Sequence, residues 1–120
     1  VQTGDPDFLM PADHDVRAAT EAFRLLADPT RIKILWALYQ GESSVAGLAD
    51  LVGTTPTAVS QHLAKLRLAR LVRGRREGTF VYYSAHDQNI RRLLAEALAD
   101  RVSAASERIP PPFAVAPQPR

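Results

Sequence analysis

Apolar residues along the chain keep a helical period, switch to alternation, and return to a helical period, and those changes divide it into elements. Val16, Ala19, Phe23 and Leu26 recur at helical spacing behind Asp13 and Asp15, whose charges favour the positive end of a first helix. Asp28-Pro29 restarts the chain. Aspartate caps a helix, proline has no N–H to lose at the first helical position, and Ile32, Leu35, Trp36 and Tyr39 form the stripe of a second helix that Gly41 stops. Ser44 caps a third helix of about two turns with Val45, Leu48, Ala49 and Val52 inward, and Gly53 suits its left-handed end. Thr55-Pro56 repeats the cap-and-proline start, and Val59, Leu63 and Leu66 give a fourth helix its buried face.

Past Leu68 the pattern alternates. Leu71-Val72-Arg73, the turn Gly74 to Gly78, then Thr79 to Tyr83 predict a β-hairpin whose glycine-bounded tip carries Arg75 and Arg76. From Asp87 the helical period returns through Ile90, Leu93, Leu94, Ala97, Leu98 and Val102, a long last helix. The fold class expected is mainly α with one β-hairpin, without internal repeats. Residues 1–12 have no apolar period and residues 110–120 hold five prolines, so both predict flexible tails around a single domain over 13–109.

Composition narrows the functional classes. With 120 residues, 46% of them hydrophobic, the chain can bury one core. It has no cysteine, which excludes disulfide staples, thiolate nucleophiles and sulfur-ligated metal. No long apolar run and no basic leader are visible, so the expectation is a cytoplasmic protein without membrane contact. Net charge is only +2, but it is unevenly spread. Residues 1–30 hold six acidic groups against Arg17 and Arg24, a balance of −4, whereas residues 55–82 hold six cations against Glu77, a balance of +5. No nucleophile motif or phosphate-cradling glycine loop is present, so an enzyme is not expected.

Two short helices joined by a tight turn at Gly53-Thr54 have the geometry that projects the second helix into a major groove. With its apolar face inward, that helix presents Thr57, Ser60, Gln61 and Lys65, with Thr55 at its start and His62 at the edge of the apolar face. Short polar groups suit base edges and cations suit phosphates. Any surface helix has a solvated polar face, and a basic hairpin tip alone is usually just solvated. Arg73, Arg75 and Arg76 beside such a helix make the two features one cationic surface, able to clamp phosphates or a minor groove of double-stranded DNA.

These residues carry a family resemblance. "LADPTRIKILWAL" followed by "ESSVAGLADLVGTTPTAVSQHLAKLRLARLVRGRREGTFVYYS" resembles the ArsR/SmtB family of bacterial winged-helix regulators over residues 16–105. Its most specific parts are Asp28-Pro29-Thr30-Arg31, Ser60-Gln61-His62-Leu63 with Leu66, and the strand from Gly78 to Tyr83; the wording is nearest to actinobacterial nickel- and cobalt-responsive members. The resemblance implies a winged helix-turn-helix, the hairpin being the wing, and a homodimer joined through the first and last helices. Val16, Phe23, Ile90, Leu94 and Leu98 are the interface candidates.

The family's sensing sites are where the chain departs. Its thiolate pair on the third helix aligns with Ser44 and Ala46, and its nickel, cobalt or zinc set on the last helix aligns with Asp87, Asn89, Asp100 and Ser103, without either imidazole. Nitrogen- and sulfur-poor sites hold these ions weakly. His14, His86, Asp87 and Asp13 could form a substitute if helix starts meet across a dimer, though exposed surface histidines are the ordinary reading. Sensing could instead be delegated to a metal-carrying co-regulator protein. The rival class is a protein-interaction module that uses the long helices and "PPPFAVAPQPR".

Overall fold

The computed structural model describes residues 9–108, and side-chain surroundings for 9–99. The proline-rich tail, the first eight residues and the side chains of Asp100, Val102 and Ser103 lie outside the described residues. The order is α1 (Asp13–Leu26), α2 (Pro29–Leu38), α3 (Val45–Val52), α4 (Pro56–Leu68), β1 (Arg73–Glu77), β2 (Phe80–Ser84) and α5 (Gln88–Arg108).

The helix starts arise from local chemistry. Asp28 accepts the Arg31 N–H at 3.0 Å, Ser44 Oγ the Gly47 N–H at 3.1 Å and Thr55 Oγ1 the Ala58 N–H at 3.1 Å. Asp87 does the same for α5, accepting the Ile90 N–H at 3.0 Å. Each such cap satisfies a donor the helix cannot, for about 1 kcal/mol. At the far end of α3, Gly53 takes φ +78°, the left-handed conformation expected of it.

α2 lies at the centre, packed against α1, α3, α4 and α5. That position enlarges the predicted stripe: Ile34, Ala37 and Leu38 are buried beside Leu35, while Ile32, Trp36 and Tyr39 are half-buried. A helix covered on several sides has no single apolar face to read. The deepest side chains are Ile34 and Leu35 of α2, Leu48 of α3, and Val59, Leu63 and Leu66 of α4.

The outer helices behave differently. From α1 only Leu26 is buried, and Val16 and Phe23 remain exposed. Ile90 and Leu94 of α5, expected at an intersubunit contact, are 9% and 4% exposed, covered by the chain itself as part of the protomer core. Leu98 is half-buried and Leu93 exposed.

The hairpin lies out of register with the sequence expectation. β1 pairs antiparallel with β2 from Arg73↔Ser84 to Glu77↔Phe80, and the turn is Gly78-Thr79, with positive φ only at Gly78. Arg75 and Arg76 therefore stand on a strand and not at a five-residue tip. Gly74 is not a turn boundary; it faces Tyr83, where a Cβ would come within 3.3 Å of the Val81 side chain. All of β1 is exposed, so it carries no apolar alternation that could have revealed it.

Candidate nucleic-acid interface

α4 is aimed by its own buried side. Val59, Leu63 and Leu66 lock it onto α2 and α3, and Thr57, Ser60, Gln61 and Lys65 consequently stand exposed on the other side, with Thr55 exposed at the helix start. His62 is half-buried, near enough to Asp28 for its charge to act there. The Asp28 carboxyl sits below the usual carboxylate range, first because of the hydrogen bond from the Arg31 N–H, with burial opposing and His62 adding to the lowering.

α4 ends in a Schellman turn. The Arg70 N–H donates to the Arg67 carbonyl and the Leu71 N–H to the Leu66 carbonyl, both at 2.9 Å, with buried Leu71 and Leu66 as the accompanying apolar pair. The left-handed position, φ +63°, is held by Arg70 where glycine would be strain-free. This turn swings the chain from α4 into the wing. No glycine or asparagine marks it in the sequence.

The wing is tied down at two points. Ser43 and Tyr83 exchange backbone hydrogen bonds at 3.1 and 2.8 Å, joining β2 to the segment before α3. Arg75 forms a two-pronged pair with Glu42, Nη2 at 2.8 Å and Nε at 3.1 Å, reaches Glu77 at 3.1 Å, and lies 5.2 Å from the centre of the Tyr82 ring. The guanidinium holds the Glu42 carboxyl below its usual range, and the two carboxylates raise the arginine further. Arg75 is thus engaged within the protein, whereas Arg73 and Arg76 are exposed and, among the described residues, no carboxylate pairs with them. Sequence reading missed Glu42, Tyr82 and Arg70: the first lies 33 residues from its partner, beyond any local pattern.

The metal candidates do not converge. His14 lies 3.3 Å from Asp15, and His86 Nε2 lies 2.9 Å from Ser84 Oγ. The Asp87 carboxylate is occupied in capping α5, and Asn89 accepts from Arg92 at 2.6 Å. Among the described residues no three His, Asp or Glu side chains gather in a protomer. Asp87 caps α5 through one carboxylate oxygen, and Asp100 and Ser103, the other aligned positions on α5, lie outside the residues whose side chains are described. No helix among the described residues is long and apolar enough to cross a membrane.

Residues 28–73, from the cap of α2 to the start of the wing, match the family model for bacterial regulatory proteins of the arsR family. Over 86 residues the chain is 49% identical to the HTH-type transcriptional regulator KmtR of Mycobacterium tuberculosis, an alignment covering 72% of this chain and 66% of that protein, just under two thirds. It is 32% identical over 87 residues to the cadmium resistance transcriptional regulatory protein CadC homolog of Staphylococcus aureus, covering 72% of each. Among solved structures it resembles the homodimeric winged helix-turn-helix DNA-binding domain of a possible ArsR-family regulator from Mycobacterium bovis. There the TM-score is 0.65 at 28% identity, covering 83% of this chain and 95% of that one. These similarities are to regulators of transcription, not to enzymes.

Proposed function

The chain belongs to the arsR family of bacterial regulatory proteins, and from that premise we propose that it is a cytoplasmic homodimer that reads operator DNA with the outer face of α4. The observation that carries this is the two-sidedness of α4: Val59, Leu63 and Leu66 are buried while Thr57, Ser60, Gln61 and Lys65 are exposed beside a cationic wing. Thr57, Ser60 and Gln61 have the donors and acceptors to read base edges, and Thr55, His62, Lys65, Arg73 and Arg76 contact the backbone. Arg75 contributes mainly by holding the wing. In a two-fold dimer the recognition helices face half-sites about one helical turn apart.

Support for the dimer comes from the exposed apolar residues of α1 and α5, Val16, Phe23 and Leu93, and from the homodimeric M. bovis domain. Changing Phe23 and Leu93 together to aspartate should yield monomers in sedimentation that keep their helical content and lose tight operator binding. Wild-type protein that sediments as a monomer and still binds its operator tightly would sink the reading. Leu94→Asp is a poor test, because it puts a charge into the protomer core.

A metal-linked role, nickel-related by the sequence resemblance, fits the cadmium-resistance relative, yet no three candidate donors gather among the described residues of one protomer. A metal-carrying partner protein would then deliver the signal. The purified protein should bind its operator without metal, and low micromolar nickel, cobalt or zinc should change that little. Calorimetry showing one tight nickel per protomer with matching DNA release would overturn this second part.

A further inference from the structure

A cavity among the described residues lies outside the DNA face. It has a volume of about 430 Å³ between α2 and α5, and its walls are Trp36, Tyr39 and Gln40 from one helix and Arg91, Arg92 and Ala95 from the other. That volume is within the usual range for small-molecule sites. Its charged residues are of one sign: Arg91 and Arg92 line it and no carboxylate does, while most of its surface is apolar. Trp36 adds a buried indole N–H that has no hydrogen-bond partner among the described residues. That nitrogen is shut off from solvent, so it is the ring of Trp36, not its N–H, that the cavity meets.

The remaining polar groups are already placed. The Tyr39 hydroxyl donates to the Asp87 carbonyl at 2.9 Å, and burial pushes its pKa up to about 12, so it stays neutral. Gln40 Nε2 donates to the Trp36 carbonyl at 3.2 Å, which fixes that wall. Arg92 spends one amino group on Asn89, leaving the rest of its fork available.

Two cations and aromatic walls select a small anion with a flat apolar body. A metal ion finds no ligand here, and a phosphate-rich nucleotide would set its charges against apolar walls. We infer that this cavity is a binding site for a small aromatic carboxylate, held by Arg91 and Arg92 against the walls formed by Trp36 and Tyr39. The cavity lies between α2 and α5, so a ligand there touches the helix that α3 and α4 also pack against. The inference goes beyond the regulator reading and rests on it only for the DNA arm of the test.

Trp36 is the chain's sole tryptophan, so its emission reports on this cavity alone. Titrating the full chain with benzoate should give a saturable change in emission, matched by calorimetry. Benzamide, without the charge, and acetate, without the apolar body, should bind about tenfold or more weakly, the loss expected from one charge-assisted contact or one buried ring. Arg91→Ala with Arg92→Ala should weaken benzoate by a similar factor with unchanged helical content. No saturable response at millimolar benzoate, equal binding of benzamide or acetate, or full affinity in the double variant would overturn the site. Benzoate that binds without altering operator affinity upholds the site and removes an effector role. Failure to bind any operator would remove the regulator reading, with the fluorescence titration still deciding the cavity.

Discussion

α4 and the wing are neighbours, both are basic, and both are assigned to the same polyanion, yet they are held in place by opposite means. Burying Val59, Leu63 and Leu66 stabilises α4 by about 1.5–3 kcal/mol for each side chain. The wing has no comparable anchor: every residue of β1 is exposed and β2 is at best half-buried. It depends on its own ladder, the Ser43–Tyr83 bridge and the Glu42–Arg75–Tyr82 cluster. A core contact does not respond to salt, whereas an exposed ion pair does. Counting charges therefore overstates the wing's share, because one of its three arginines is engaged in holding the wing itself.

The largest effect should separate the two anchors. Leu63→Ala should lower stability by about 2–5 kcal/mol in urea unfolding, whereas Val81→Ala in the wing should cost about 1 kcal/mol or less. Comparable losses would mean the wing has a core contact of its own. On DNA the contrast should be qualitative. Gln61→Ala should cost about 1–3 kcal/mol on the preferred operator and relax its sequence preference. Arg76→Ala should weaken all sequences alike and reduce the salt slope by about 1. Loss of sequence preference in the Arg76 variant would erase the division of labour.

The joint between the two regions offers a smaller, stabilising change. Arg70→Gly relieves the left-handed strain at the end of α4 and should raise stability by about 0.5–1 kcal/mol in the same unfolding assay. A loss would show that the Arg70 side chain matters more than its backbone.

The smallest expected effect on stability is Glu42→Gln. Thermal unfolding should hardly move, but wing amides should exchange faster and the salt slope of DNA binding should steepen as Arg75 is released. Because Arg75 lowers the Glu42 carboxyl, the unfolded chain takes up that proton first. The pair's contribution is complete above the ordinary glutamate range and is lost only as pH falls through the lowered value. A carboxyl-carbon NMR titration checks this; an ordinary glutamate midpoint for Glu42 would show that the tether is absent in solution.

Local signals made most of the framework legible. Asp28-Pro29, Ser44 and Thr55-Pro56 start helices wherever they occur, because a cap and a proline act within one turn, and Gly53 ends one for the same reason. The apolar triad of α4, and hence the side left for Thr57, Ser60, Gln61 and Lys65, followed from the 3.6-residue period alone. What the chain could not announce is decided by partners distant in sequence. β1 is exposed on both faces and is set by pairing, so its register shifted from the glycine-bounded expectation. The roles of Arg75, Ile90 and Leu94 depend on Glu42 and on α2, which meet them only when the chain is folded. Periodicity tells which residues are apolar or charged on a face; only packing tells whether that face meets its own core, a second copy or a ligand.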